Sequence, residues 1–192
     1  TVAYTFASGA TTINGNLTIN PSSAGSNALT VNMGDDITVA STKTTTITKT
    51  SSASSTLATV SNGNDLSSGL IVIGTGGTLT ASGTTSTISL TGTGGTLLTN
   101  AGTFTEGAST VGVASATCPV ALVSAAETFD ILTINSASSS TVVNAGAAVT
   151  IADASGSALT VTSGVFNDSG FGIATSGSSS NTLTLGSAGT LC

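Results

Sequence analysis

Histidine, arginine and tryptophan are missing from this chain of 192 residues, and its only basic side chains are Lys43 and Lys49. With a net charge of -6, the sequence has almost nothing to neutralise phosphate, which excludes nucleic acid and anionic membrane surfaces as partners. Long apolar runs are missing too. None is longer than Leu70-Ile71-Val72-Ile73, which is the length of a strand, far short of the 18 or more residues of a membrane span. Without His there is no Ser-His or Cys-His nucleophile pair. A Ser-Lys pair would have to use Lys43 or Lys49, and both read as solvated charges on a hydroxyl-rich strand that discourage edge-to-edge pairing. The carboxylates that remain for glycoside chemistry are Asp35, Asp36, Glu106, Glu127 and Asp130. A sugar site ordinarily adds stacking rings and cations, and here there is one Tyr. The expectation is a protein that is not an enzyme.

Other absences narrow the ligand classes. Gly34-Asp35-Asp36 and Asn64-Asp65 are the only acidic clusters that suggest calcium, which wants six to eight oxygens. Asp and Asn also form turns by bonding their own backbone, and that is the expected role here, with calcium at Asp35 and Asp36 as the sole cofactor candidate. The glycine runs, such as Gly92-Thr93-Gly94-Gly95, lack the Lys and helix of a phosphate loop. Two cysteines, Cys118 and Cys192, form a candidate disulfide closing a loop of about 75 residues, worth about 4–5 kcal/mol in the chain-entropy model. Two separate thiols, or a cross-link from Cys192 to a neighbouring subunit, remain open.

What is present is regular. Apolar residues make up 39% of the chain and charged residues only 5%, against about 25% in an ordinary domain. Mean hydropathy is +0.45, which is not the composition of a disordered chain. Ser and Thr fill roughly a third of it. One figure recurs, an apolar residue, a hydroxyl residue and another apolar residue: Leu17-Thr18-Ile19, Leu29-Thr30-Val31, Ile37-Thr38-Val39, Ile88-Ser89-Leu90, Leu132-Thr133-Ile134, Val149-Thr150-Ile151, Leu159-Thr160-Val161 and Leu183-Thr184-Leu185. Strand side chains alternate between faces, so the apolar pair points inward and the hydroxyl outward. Leu132, Ile134, Val149, Ile151, Leu159 and Val161 are the predicted core of the central stretch. Gly, Ser and Asn clusters separate the figures, and no 3.6-residue periodicity competes. The chain reads as all-β.

The words Leu17–Asn20 and Leu132–Asn135 are both LTIN, and Asn64-Asp65 is answered by Asn167-Asp168. These matches suggest two degenerate copies, 1–105 and 106–192, or one continuous β domain. Two architectures fit: a β-solenoid of parallel β-helix type, or two tandem β-sandwich or jelly-roll domains that donate strands between subunits. Thr42, Thr44, Thr46, Thr48 and Thr50 share one face of one segment, a ladder expected to be confined to a single strand and so a weak basis for ice binding.

The segments GTLLTNAGTFTEGASTV (95–111) and TFDILTINSASSSTVVNAGAAVTIADASGSALTVTSGVF (128–166) resemble the LTIN-type tandem repeats of large bacterial secreted surface proteins, and the opening TVAYTFASGATTINGNLTIN fits more loosely. The resemblance implies an extracellular, β-helix-like stalk, adhesin or filament component. The two cysteines depart from that pattern.

The expected function is a structural subunit, or a repeat segment, of an extracellular bacterial filament or surface stalk, assembling head to tail with copies of itself through strand pairing. The alternatives are an adhesin module for a glycan or surface, and an ice-binding protein. Val2, Tyr4 and Phe6 give residues 1–7 an apolar face and mark them as a candidate inter-subunit strand. The chain start at Thr1 is expected to reflect processing or a longer parent. Secretion, suggested by a hydroxyl-rich and charge-poor surface, would make Asn16 and Asn167 candidate N-glycosylation sites and the Ser/Thr stretches candidates for O-glycans.

Overall fold

The computed structural model describes residues 2–21, 28–50, 55–59, 63–81, 85–115, 119–152, 158–176 and 181–191. They form strands and connections, with no helix among the described residues. The chain winds through coils of three short strands. The first coil is β1 (Val2–Thr5), β2 (Thr11–Ile13) and β3 (Leu17–Ile19); the second is β4 (Leu29–Asn32), β5 (Ile37–Val39) and β6 (Thr44–Ile47). The third is β7 (Ser55–Thr59), β8 (Leu66–Ser68) and β9 (Leu70–Ile73), and the fourth is β10 (Gly77–Ala81), β11 (Thr87–Leu90) and β12 (Thr96–Asn100). Then come β13 (Thr103–Thr105), β14 (Thr110–Val113) and β15 (Val120–Val123), followed by β16 (Glu127–Phe129), β17 (Ile131–Asn135) and β18 (Val142–Asn144). In the last two coils the second and third strands merge: β19 (Val149–Ile151) leads to β20 (Ala158–Asn167), and β21 (Ile173–Thr175) to β22 (Thr182–Leu191).

Among the described residues every strand pairing is parallel and joins one coil to the next. This is a β-solenoid with three faces, not a pair of sandwiches. The first face holds a five-stranded sheet, β1-β4-β7-β10-β13, and a three-stranded one, β16-β19-β21. Faces two and three belong to one 14-stranded sheet because β20 runs unbroken around the corner between them. That sheet passes through the 105/106 boundary without interruption, since β11 pairs β14 and β14 pairs β17.

The core is a set of columns. On face two, Ile37, Leu66, Ile88, Val111, Leu132 and Leu159 stand in register, one per coil. Beside them run Leu90, Val113, Ile134 and Val161. On face one the column is Val31, Leu57, Leu79 and Phe104, and Phe129 lies against Phe104 with ring centroids 6.2 Å apart. All six predicted core residues of the central stretch are buried, and the Thr between each pair stays partly exposed. Neighbouring coils are the only partners a coil has, so cohesion is close to one-dimensional.

Polar groups also bridge coils. Asp36 Oδ1 accepts the Asp65 N–H at 2.8 Å, and Asp65 Oδ1 accepts the Thr87 N–H at 2.7 Å. Asn16 and Asn20 likewise accept the N–H groups of Thr44 and Thr50. One buried polar pair interrupts the core columns: Thr45 Oγ1 lies 2.9 Å from Ser68 Oγ, and Ser68 Oγ donates to the Leu70 carbonyl at 2.8 Å. Since that donation uses the only Ser68 hydroxyl proton, Thr45 is the donor to Ser68.

Candidate functional site

Three features of the solenoid carry information about function: its two ends, its outward columns, and one corner where carboxylates gather.

At the N-terminal end, a cavity of about 400 Å³ opens between the first two coils, lined by Tyr4, Phe6, Leu17, Ile19, Leu29 and Val31 with three polar neighbours. A second cavity of about 290 Å³ opens at the other end, against Ile151, Leu159, Ile173, Leu183 and Leu191. Among the described residues the large exposed hydrophobics are Val2 (44% exposed), Tyr4 (63%), Phe171 (54%), Leu183 (53%) and Leu185 (51%). All belong to the first or last coil. Leu183 and Leu185 are in register with buried Leu159 and Val161, and Tyr4 with Val31. They are therefore core positions of terminal rungs, with a neighbour on one side only. The apolar-Thr-apolar pattern marked Leu183 and Leu185 as inward-facing, but a sequence pattern does not say which rung is last. Phe171 has no pattern signal at all; it lies in the turn before β21.

Val2 and Tyr4 sit on β1 as anticipated, with Phe6 just beyond it and partly buried against the core. The strand is not a detached donor. It is seated on β4 in the ordinary parallel register, with the Val2 N–H donating to the Ala28 carbonyl at 2.8 Å and the Phe6 N–H to the Asn32 carbonyl at 3.0 Å.

The outward columns are the second feature. Thr30, Thr56, Thr78 and Thr103 stand in register on face one, and Thr128 with Thr150 on the three-stranded sheet of the same face. On face two, Thr12, Thr38, Ser67 and Ser89 align, Gly112 intervenes, and Thr133, Thr160 and Thr184 continue. The hydroxyl array is thus not confined to one strand, contrary to the expectation drawn from Thr42 to Thr50. Variable corner lengths hide it in the sequence, because residues that stack are not evenly spaced along the chain.

The third feature is acidic. Coil stacking brings Glu106 and Glu127 into each other's field, with Asp130 near Glu106. Burial pushes both glutamate carboxyls up; repulsion from Asp130 adds to this at Glu106, and repulsion from Glu106 adds to it at Glu127. The Asn100 amide donates to Glu127 Oε1 at 2.6 Å and partly offsets the effect. A carboxyl raised in the folded state binds its proton before the unfolded chain does, so stability falls as pH rises from about 4.3, the unfolded glutamate value. The expected result is a melting temperature that climbs as pH is lowered from 7 toward 4.5. The double variant Glu106→Gln with Glu127→Gln should melt higher at pH 7 and show a flatter profile. A melting profile unchanged by the double variant would contradict this origin.

Asp35 behaves oppositely. The N–H of Asp36, and then that of Gly9, hold its carboxyl below the usual range, so its contribution is lost only in stronger acid. Asp35 Oδ1 accepts the N–H of its neighbour Asp36, the one local bond of the group; Asp35 Oδ2 and Asp36 Oδ1 instead bridge coils by accepting the N–H groups of Gly9 and Asp65. Among the described residues no three His, Cys, Asp or Glu side chains converge as a metal-binding group. Asn16 is exposed at a corner, and its Oδ1 accepts the Thr44 N–H at 3.1 Å. Asn167 is half-buried, and its Nδ2 donates to Asn144 Oδ1 at 3.0 Å in a ladder between coils. Cys118 and Cys192 lie outside the described residues. Comparison with protein-family models, curated proteins and solved structures gave no match for this chain.

Proposed function

We propose that this chain is a non-catalytic structural element, a subunit or repeat segment of an extracellular bacterial filament or surface stalk. The observation that carries the reading is the placement of exposed apolar side chains: they sit at the two ends of the ladder rather than in a patch on its flank. Open β edges with apolar cores beneath them favour further strand pairing. A flank lined with Ser and Thr stays soluble with little charge. An adhesin module, the alternative, would favour an aromatic or apolar patch on a face, and the exposed large hydrophobics lie elsewhere.

Negative-stain microscopy of the purified chain tests this. Uniform fibres that lengthen with protein concentration are expected, and deletion of residues 1–7 should abolish them while leaving a folded β protein. Isolated particles at every concentration would favour the adhesin, and fibres surviving the deletion would remove the first coil from the assembly.

A second reading has one observation in its favour. The in-register Thr columns form a regular array of hydroxyls and methyls at the strand spacing of about 4.8 Å. An ice-binding role would use such an array, and the absence of thermal hysteresis in the purified chain would end it.

A further inference from the structure

We propose that the last coil of one copy is the seat for the first coil of a second copy, in one defined register: β21 receives β1, and the first half of β22 receives β2. The inference rests on the filament reading and names its contact.

Strand direction comes first. The pairings among the described residues are all parallel, so the outer edge of β1 continues the ladder of β21, and that of β2 the ladder of β22, by simple translation. Joining two identical ends would set the strands antiparallel and break every column. The contact is therefore heterologous, and heterologous contacts that do not close on themselves give open fibres.

The columns then select the register. On face two, Leu159 is followed by Leu183 and Val161 by Leu185; the next rung would place Thr11 and Ile13 of the second copy over them. Thr160 is followed by Thr184, so Thr12 of the second copy would extend the hydroxyl column. On face one, Thr150 is followed by Ala174 and Ile151 by Thr175, which would receive Ala3 and Tyr4. The two faces agree, because Val2 to Thr11 in the first coil and Ile173 to Leu183 in the last are nearly the same chain span. Edge groups match as well. The N–H groups of Val2 and Phe6 point into their own solenoid, and strand alternation leaves those of Ala3 and Thr5 on the outer edge. Both end cavities would close in the junction, covering the half-exposed Leu183, Leu185 and Tyr4.

Disulfide trapping tests the register. In a Cys118→Ser, Cys192→Ser background, the pair Thr12→Cys with Thr184→Cys would bring two exposed, outward cysteines onto adjacent strands, within the Cα separation a disulfide needs. Mild oxidation is expected to give a ladder of covalent multimers on a non-reducing gel. The pair Thr12→Cys with Thr182→Cys is displaced by two residues, beyond bonding reach, and should stay largely monomeric. Circular dichroism verifies that both variants keep their β signal. Face two has eight rungs in register, so copies stacked without a gap would show an axial repeat of about 38 Å at the strand spacing of about 4.8 Å. Fibres that form with equal trapping by both pairs, or with a longer repeat, would overturn the register and leave the filament reading standing. A monomer at all concentrations, with no trapping by either pair, would overturn both.

Discussion

Replacing Phe129 by Ala is expected to lower the unfolding free energy by about 3–5 kcal/mol, the usual cost of removing a large buried ring. Phe129 is fully buried. It faces Phe104 across the junction between the two sheets of face one, and its own strand is in register with Ile151. The ring thus links the two groups of coils. A cavity there is costly because the backbone on both sides is held by ladder hydrogen bonds and cannot collapse inward. The tilted ring pair adds about 0.5–1.5 kcal/mol that Ala cannot replace. Urea unfolding followed by circular dichroism measures the loss as a lower midpoint. Because each coil touches only its neighbours, the variant should also broaden the transition, as the two halves begin to unfold separately. Phe171→Ala is the control. That ring is 54% exposed, and its removal should change stability by about 0.5 kcal/mol or less. Equal effects at the two positions would contradict the junction role of Phe129.

The substitution Gly69→Ala should cost about 3 kcal/mol, the upper part of the range for forcing atoms into a filled space. Gly69 is the corner between β8 and β9. A Cβ there would run into the carbonyl oxygens of Ser41 and Lys43, which are backbone atoms of the coil below. No side-chain rotation can relieve that clash, so the coils must separate. The Leu70 N–H donates to the Lys43 carbonyl at 3.0 Å and would lose that bond first, for about 1 kcal/mol. Gly94→Ala makes the comparison, since a Cβ there meets nothing within 4 Å. Melting temperatures of the two variants give the answer. A Gly69→Ala protein as stable as Gly94→Ala would mean that the corner is looser than its geometry implies.

Much of the fold was legible in the residues themselves. Period-two alternation identified Leu132, Ile134, Val149, Ile151, Leu159 and Val161 as core, because a strand with one buried face has no other way to place them. The coil period was not legible. All three faces use the same apolar-hydroxyl-apolar figure, so a match in the sequence need not mean a match in space. The two LTIN words show this: Leu17 lies on face three and Leu132 on face two. Corner lengths vary as well. Only Asp130 separates β16 from β17, whereas five residues, Phe6 to Ala10, separate β1 from β2. Stacked partners are therefore set by which coils fit, not by a constant offset. The same cause hid the Thr columns and the meeting of Glu106 with Glu127. The terminal residues were legible as a pattern but not as a surface, since exposure depends on having a rung above or below.

The stacking of coils also has an arithmetic side. A coil of about 25 residues advances the rod by one strand spacing, about 4.8 Å. The same residues drawn out straight would reach about 80 Å. This way of folding therefore converts chain into girth far more than into reach. Resistance of a rod to bending rises steeply with its breadth, so what the winding yields is stiffness. A single chain is a short, stout post, and distance would have to come from number.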